Sequence, residues 1–143
     1  MIVRLVIDTN VFVAALRSPH GASAILLTRV VEKRARPLLS VALILEIEAV
    51  LSRPEQLSAT GLNAKLVQGF VDELCRVAEP VEIHFAWRPQ LRDAADEMVL
   101  EAAVNGQAHA LVTFNIRDFV PAAQRLGVEV MTPTTALRIF DLV

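Results

Sequence analysis

Short apolar runs alternate with longer stretches of helical periodicity along this chain. Ile2 to Ile7 is an apolar, β-branched run broken only by Arg4 and ended by Asp8, the signature of a buried strand. Asn10 to Leu16 reads as a short helix closed by the turn from Arg17 to Gly21. A second helix is expected over Ala22–Arg34, with Ile25, Leu26, Arg29 and Val30 in register. Pro37–Ser40 is a short second strand, and Ser40 is placed to cap the helix Val41–Leu51, after which Pro54 follows. Asn63 is placed to cap a helix over Ala64–Ala78, and Val81–Phe85 reads as a third strand. Asp93 stands before a helix Ala94–Asn105 that Gly106 is expected to end as its C′ residue. A fourth strand (Ala108–Thr113), a polar loop (Asn115–Phe119), a short helix (Pro121–Leu126, ended by Gly127), a fifth strand (Val128–Met131) and a terminal helix running to Leu142 complete the order.

Strands separated by helices imply right-handed crossovers and a parallel sheet covered on both faces. The expected fold is therefore a three-layer α/β/α sandwich around about five parallel strands, a single domain over residues 1–143. In such sheets ligands bind beyond the carboxyl ends of the strands. The chemistry should be sought there.

Asp8 directly follows the first strand, in Ile7-Asp8-Thr9-Asn10. It suits either a helix N-cap or a functional carboxylate. Glu46 interrupts an apolar helix whose core stripe is Leu43, Ile47, Val50 and Leu51. At ~100° per residue it borders that stripe, whereas Glu48 lies about 160° away, so Glu46 is the better placed to face inward, although solvated glutamates are commoner. Asp93, Asp96 and Glu97 follow one another at i, i+3, i+4 in the segment from Arg92 to Glu97. Capping and the helix dipole explain some acidity there, but three carboxylates exceed what capping needs. After the fourth strand, Thr113, Asn115 and Asp118 offer neutral oxygens and one charge, in a stretch that an ordinary turn also favours. Each position has a bland explanation; the argument rests on acids from separate segments meeting at one sheet edge.

Composition narrows what such an edge would hold. Cys75 is the only cysteine and His20, His84 and His109 are dispersed, so neither a disulfide nor a Cys/His zinc site is expected. A reducing cytosol is the default compartment, and no apolar run approaches the roughly 18 residues of a membrane span. Clustered carboxylates suit a hard cation, Mg²⁺ or Mn²⁺, and one or two such ions can hold a phosphodiester for hydrolysis.

These blocks, in this order, resemble the PIN domain, and most closely the prokaryotic PIN proteins that act as toxins of toxin–antitoxin pairs. The resemblance runs through Ile7-Asp8-Thr9-Asn10, the Glu46 helix, the segment from Arg92 to Met98 and that from Thr113 to Phe119. It implies a metal-dependent endoribonuclease of the cytoplasm, using Mg²⁺ or Mn²⁺ to direct water onto single-stranded or structured RNA. Asp8, Glu46 and Asp96 match the first three acidic positions of the family, and Asp93 an additional one. The fourth position falls on Asn115 or Asp118; Asp118 is favoured, with Asn115 as a polar helper. Thr9, Asn10 and Thr113 match positions that support the ligands or contact phosphate. A homodimer and a separately encoded antitoxin are the implied protein partners; the sequence does not locate the dimer face, for which the helices Ala22–Val31 and Asn63–Ala78 are candidates.

Two other readings are distinguishable. A haloacid-dehalogenase-type phosphatase also places Asp after its first strand but wants a second Asp where this chain has Asn10. A PIN module that only binds RNA or protein would not bind the metal. The charge balance, 14 Lys and Arg against 16 Asp and Glu for a net −2, does not at first suit a nucleic-acid partner. Setting aside Asp8, Glu46, Asp93, Asp96 and Asp118 leaves 11 acids against 14 bases. Arg29, Lys33, Arg34 and Arg36 form a local basic group that suits RNA backbone or simply a helix C-terminus.

Overall fold

The computed structural model describes residues 2–86 and 90–143. Its centre is a parallel sheet of five strands in the order β3-β2-β1-β4-β5, flanked by eight helices among the described residues. The strands are β1 (Val3–Ile7), β2 (Ala35–Leu39), β3 (Glu79–Pro80), β4 (Ala110–Val112) and β5 (Val130–Met131). The helices are α1 (Thr9–Arg17), α2 (Ala22–Val31), α3 (Val41–Leu51), α4 (Pro54–Thr60), α5 (Ala64–Val77), α6 (Ala94–Asn105), α7 (Ile116–Leu126) and α8 (Pro133–Ile139). This is the expected α/β/α sandwich. β1 lies at its middle, Leu5 pairing with Pro37 of β2 on one side and Ala110 of β4 on the other. Burial on both faces explains the apolar run after Arg4: Leu5, Val6 and Ile7 are all at most 2% exposed.

The chain winds away from β1 in two directions, through β2 and β3 to one side and β4 and β5 to the other. The crevice between β1 and β4 is therefore the topological switch point, where loops part and a ligand site opens. The ladder runs to its very edge, since the Asp8 amide donates to the Val112 carbonyl at 2.9 Å and the Thr113 amide to that of Met131.

Several expected boundaries move. The third strand is not Val81–Phe85 but the pair Glu79–Pro80, in register with Leu38 and Leu39. After Val81 donates to the Leu39 carbonyl the chain leaves the sheet. The Asn105 side chain then takes its backbone, accepting from the amides of His84 and Phe85 at 2.9 Å. β2 begins earlier than expected, at Ala35, while Ser40 serves only as the cap of α3, accepting from the Leu43 amide. α2 stops at Val31 rather than Arg34, because Lys33 turns to φ 63°, outside helical space. The polar loop Asn115–Phe119 and the helix Pro121–Leu126 are instead one helix, α7, with Pro121 inside it. The stripe of Phe119, Ala122 and Ala123 buries at helical spacing across the proline, and this packing outweighs the lost amide. α4 was not anticipated, although Pro54 at its first turn and left-handed Gly61 at its end are the usual punctuation of a helix. None of its residues is buried, so no apolar stripe marked it. Among the described residues no single helix is long and apolar enough to cross a membrane.

Gly106 is required for a reason other than the expected one. It ends α6 with φ −84°, a conformation open to any residue, and is not a left-handed C′ position. Space is what it lacks. A Cβ there would lie 2.8 Å from the Ala102 carbonyl oxygen, 2.9 Å from Leu38 Cδ1 and 3.0 Å from Val81 Cγ2. Beside it, Arg4 of β1 donates to the Gly106 carbonyl at 2.7 Å and pairs with Glu79 of β3 at 2.5 Å, pinning the end of α6 to the sheet. Gly106→Ala is expected to destabilise the fold by about 1–3 kcal/mol through overpacking, read as a lower urea midpoint with an unchanged slope.

Candidate active site

The site begins with one buried carboxylate. Asp8 ends β1, is 6% exposed, and occupies the N-cap position of α1 without making a side-chain cap bond. The capping explanation is thus not the one the structure uses. Asp8 Oδ2 instead accepts a 2.7 Å hydrogen bond from Thr113 Oγ1, across the switch point at the end of β4. The same hydroxyl accepts from the Asn115 amide at 3.0 Å, folding the chain after β4 into a tight turn toward α7. Burial raises the Asp8 pKa; the Thr113 hydroxyl and the Thr9 amide oppose it, and the negative charges of Asp93 and Glu46 add to it.

The other expected acids gather around Asp8. Asp96, in the first turn of α6, has its pKa pushed up to about 6, by burial first and then by the charges of Asp8, Asp93 and Asp118. Glu46 is half-buried on α3 and its charge reaches Asp8, as its place beside the core stripe implied. Glu48 is also half-buried, but its charge acts on Cys75 of α5 rather than on the cluster. Asp93 is exposed and caps α6, accepting from the Ala95 amide at 2.9 Å. Asp118 is exposed in the first turn of α7. Asp8 thus feels the charges of Asp93 and Glu46, and Asp96 those of Asp8, Asp93 and Asp118, at one edge of the sheet.

Glu97 departs from its neighbours. Spacing alone put it with Asp93 and Asp96, but it is 4% exposed and turned away from them. Its Oε1 accepts from the amides of Gln90, at 2.5 Å, and Leu91, at 2.8 Å, fastening the segment that enters α6. Sequence reasoning did not single out this anchoring role; the signal available was a third acid in a turn that needs only one cap.

Polar groups complete the edge. Thr9 Oγ1 and Asn10 Oδ1 are buried without a hydrogen-bond partner, which for groups this costly to desolvate marks a place for a ligand or ordered water. A cleft of about 520 Å³ opens between the α6 and α7 entries, lined by Asp93, Asp96, Asn115 and Asp118 with Arg92 and Arg117. Both contenders for the fourth acidic position, Asn115 and Asp118, face this one cleft.

The donors fit a hard divalent cation. They are oxygens without thiol or imidazole, they repel one another, and the most buried of them is held in place by a neutral hydroxyl. Among the described residues no three such side chains stand together as a finished cage.

Comparison with protein-family models matches a PIN domain over residues 4–117, four-fifths of the chain and all of the cluster except Asp118. The chain belongs to the PIN-domain family. Proteins of this family are generally nucleases and typically use divalent metals. No curated protein matches the chain.

The raised pKa of Asp96 has a stability consequence whose sign is opposite to that of a salt-bridged acid. Folded Asp96 holds its proton up to about 6, against an ordinary 3.8, so its contribution is favourable below 3.8 and is lost as pH rises through 6. Metal-free Asp96→Asn should therefore melt higher than wild type at pH 7.5 in EDTA and show little difference at pH 3.5. Thermal unfolding at the two pH values checks this; equal melting temperatures at pH 7.5 would remove the repulsion.

Proposed function

We propose that this PIN protein is a Mg²⁺- or Mn²⁺-dependent endoribonuclease. Asp8, Glu46, Asp93, Asp96 and Asp118 hold the cation or cations, and Thr9, Asn10, Thr113 and Asn115 support them or contact phosphate. The observation that carries this reading is the placing of carboxylates from four segments about the switch-point edge, with Asp8 buried and Asp96 driven toward its protonated form first by burial and then by the charges of Asp8, Asp93 and Asp118. Only a strong positive charge makes such an arrangement favourable when every acid is ionised.

The residues divide the work. Thr113 holds Oδ2 of Asp8 and so fixes the orientation of the most buried of these acids. Asp96, with its pKa near 6, binds a proton or a cation at this spot, the two competing near neutrality. Glu46 approaches Asp8 from α3 and is placed to orient the attacking water or a second ion. A bound cation supplies positive charge to the phosphodiester and to the departing 3′-oxygen. Water attacks phosphorus in line, leaving 5′-phosphate and 3′-hydroxyl ends, with no part for the 2′-hydroxyl.

The resemblance to antitoxin-paired PIN proteins supports a toxin role, with an antitoxin that covers the acidic edge. Ile25 and Val31 at α2 and Leu66 on α5 are exposed apolar positions on the two expected dimer faces, which supports a homodimer.

The test is cleavage of a single-stranded RNA by purified protein with Mg²⁺, Mn²⁺ or EDTA. Cleavage is expected with either metal and not with EDTA, and Asp8→Asn should lower it by at least about 100-fold with an unchanged circular dichroism spectrum. Thr113→Val, which removes only the support of Asp8, should cost about 10–100-fold in metal affinity or rate. Terminal 2′,3′-cyclic phosphate, or full activity in Asp8→Asn, would overturn the scheme.

A further inference from the structure

Six of the eleven described arginines have a partner, Arg125 through Gln90 among them, while Arg17, Arg53 and Arg138, which do not line the cleft, are unpaired among the described residues. Arg4 pairs with Glu79, Arg29 with Glu32 and the Leu142 carbonyl, Arg76 with Glu73, and Arg34 with the Asp141 carbonyl. Arg36 stands 3.8 Å from Glu79. Arg92 and Arg117 differ from these in position: both line the acidic cleft, yet neither pairs with Asp93, Asp96 or Asp118 or with any other described residue. Two guanidinium groups left without a partner beside three carboxylates are positive charges kept available.

Their placement is built rather than incidental. Arg92 sits on the segment whose backbone Glu97 fastens through the Gln90 and Leu91 amides. That segment is joined to α7 by the 3.0 Å bond from Arg125 to Gln90 Oε1. Arg117 sits in the first turn of α7, directly after the turn that Thr113 holds. The buried carboxylate of Glu97 and the Thr113 hydroxyl therefore set the two walls from which the arginines reach into one cleft.

Resting on the ribonuclease reading, we propose that Arg92 and Arg117 bind the RNA phosphates that flank the scissile one, making this cleft the path of the single strand past the carboxylates. A guanidinium offers a fork of donors matched to phosphate oxygens. It can serve flanking phosphates while the carboxylates and their cation serve the central one, which reconciles a net charge of −2 with a polyanionic substrate.

The experiment measures binding rather than cleavage. Asp8→Asn protein with Mg²⁺ is titrated into a fluorescent single-stranded RNA, and the affinity is followed between 50 and 200 mM salt. Adding Arg92→Ala and Arg117→Ala together should weaken binding by about 10-fold or more and make the log–log salt dependence shallower by about 1.4, the loss of two phosphate contacts on a single strand. Replacing both by Lys should keep the slope, because the charge remains, while losing part of the affinity. Unchanged affinity and slope in the Ala pair, or a Lys pair that behaves as the Ala pair, overturns the assignment and leaves the ribonuclease reading standing. Absence of any RNA binding by the Asp8→Asn parent, together with no cleavage by wild type, overturns both.

Discussion

The hydrogen bond from Thr113 to Asp8 is the contact on which the edge of the sheet is organised. It closes the gap between the two strands where the winding reverses, at the point where backbone pairing ends. A charge-assisted bond of this kind contributes about 1.5–3 kcal/mol and offsets part of the cost of burying Asp8. The same hydroxyl also shapes the turn into α7, so the position of Asp8 and that of Asn115 and Asp118 are set by one side chain. Disturbing Thr113 would therefore be felt both by the buried Asp8 and by the exposed entry of α7.

Environment, more than residue type, divides the labour around this contact. In one helical turn Asp93 caps a helix, Asp96 faces a group of like charges and Glu97 ties down the incoming loop. Three carboxylates of similar intrinsic acidity thus act as cap, acid of raised pKa and buried anchor. The arginines divide in the same way, some spent on fastening strands and helix ends and two left facing the cleft. Net charge conceals both divisions because it counts all of these groups alike.

The layered fold was legible because β1, α3 and α6 carry strong patterns: an apolar run, a stripe at helical spacing and a capped start. The candidate acids could be picked out because the parallel-sheet rule says where to look, and the charges of Glu46, Asp93 and Asp118 do act on Asp8 or Asp96 there. What stayed hidden depends on tertiary partners. Nothing local distinguishes Glu97 from Asp96; only the amides of Gln90 and Leu91 do. Val81–Phe85 has strand composition but loses its backbone to Asn105, twenty residues away in the chain. Pro121 reads as a boundary until the burial of Phe119, Ala122 and Ala123 carries the helix through it.

The separation of 105 positions between Asp8 and Thr113 also orders events in time. A ribosome makes Asp8, Glu46, Asp93 and Asp96 before it makes β4, so a growing chain holds four of the five acids while the strand that orients the first does not yet exist. A chain whose translation stops short of β4 therefore carries these acids without their framework, and making β4 and Thr113 is the step that orients Asp8 among them.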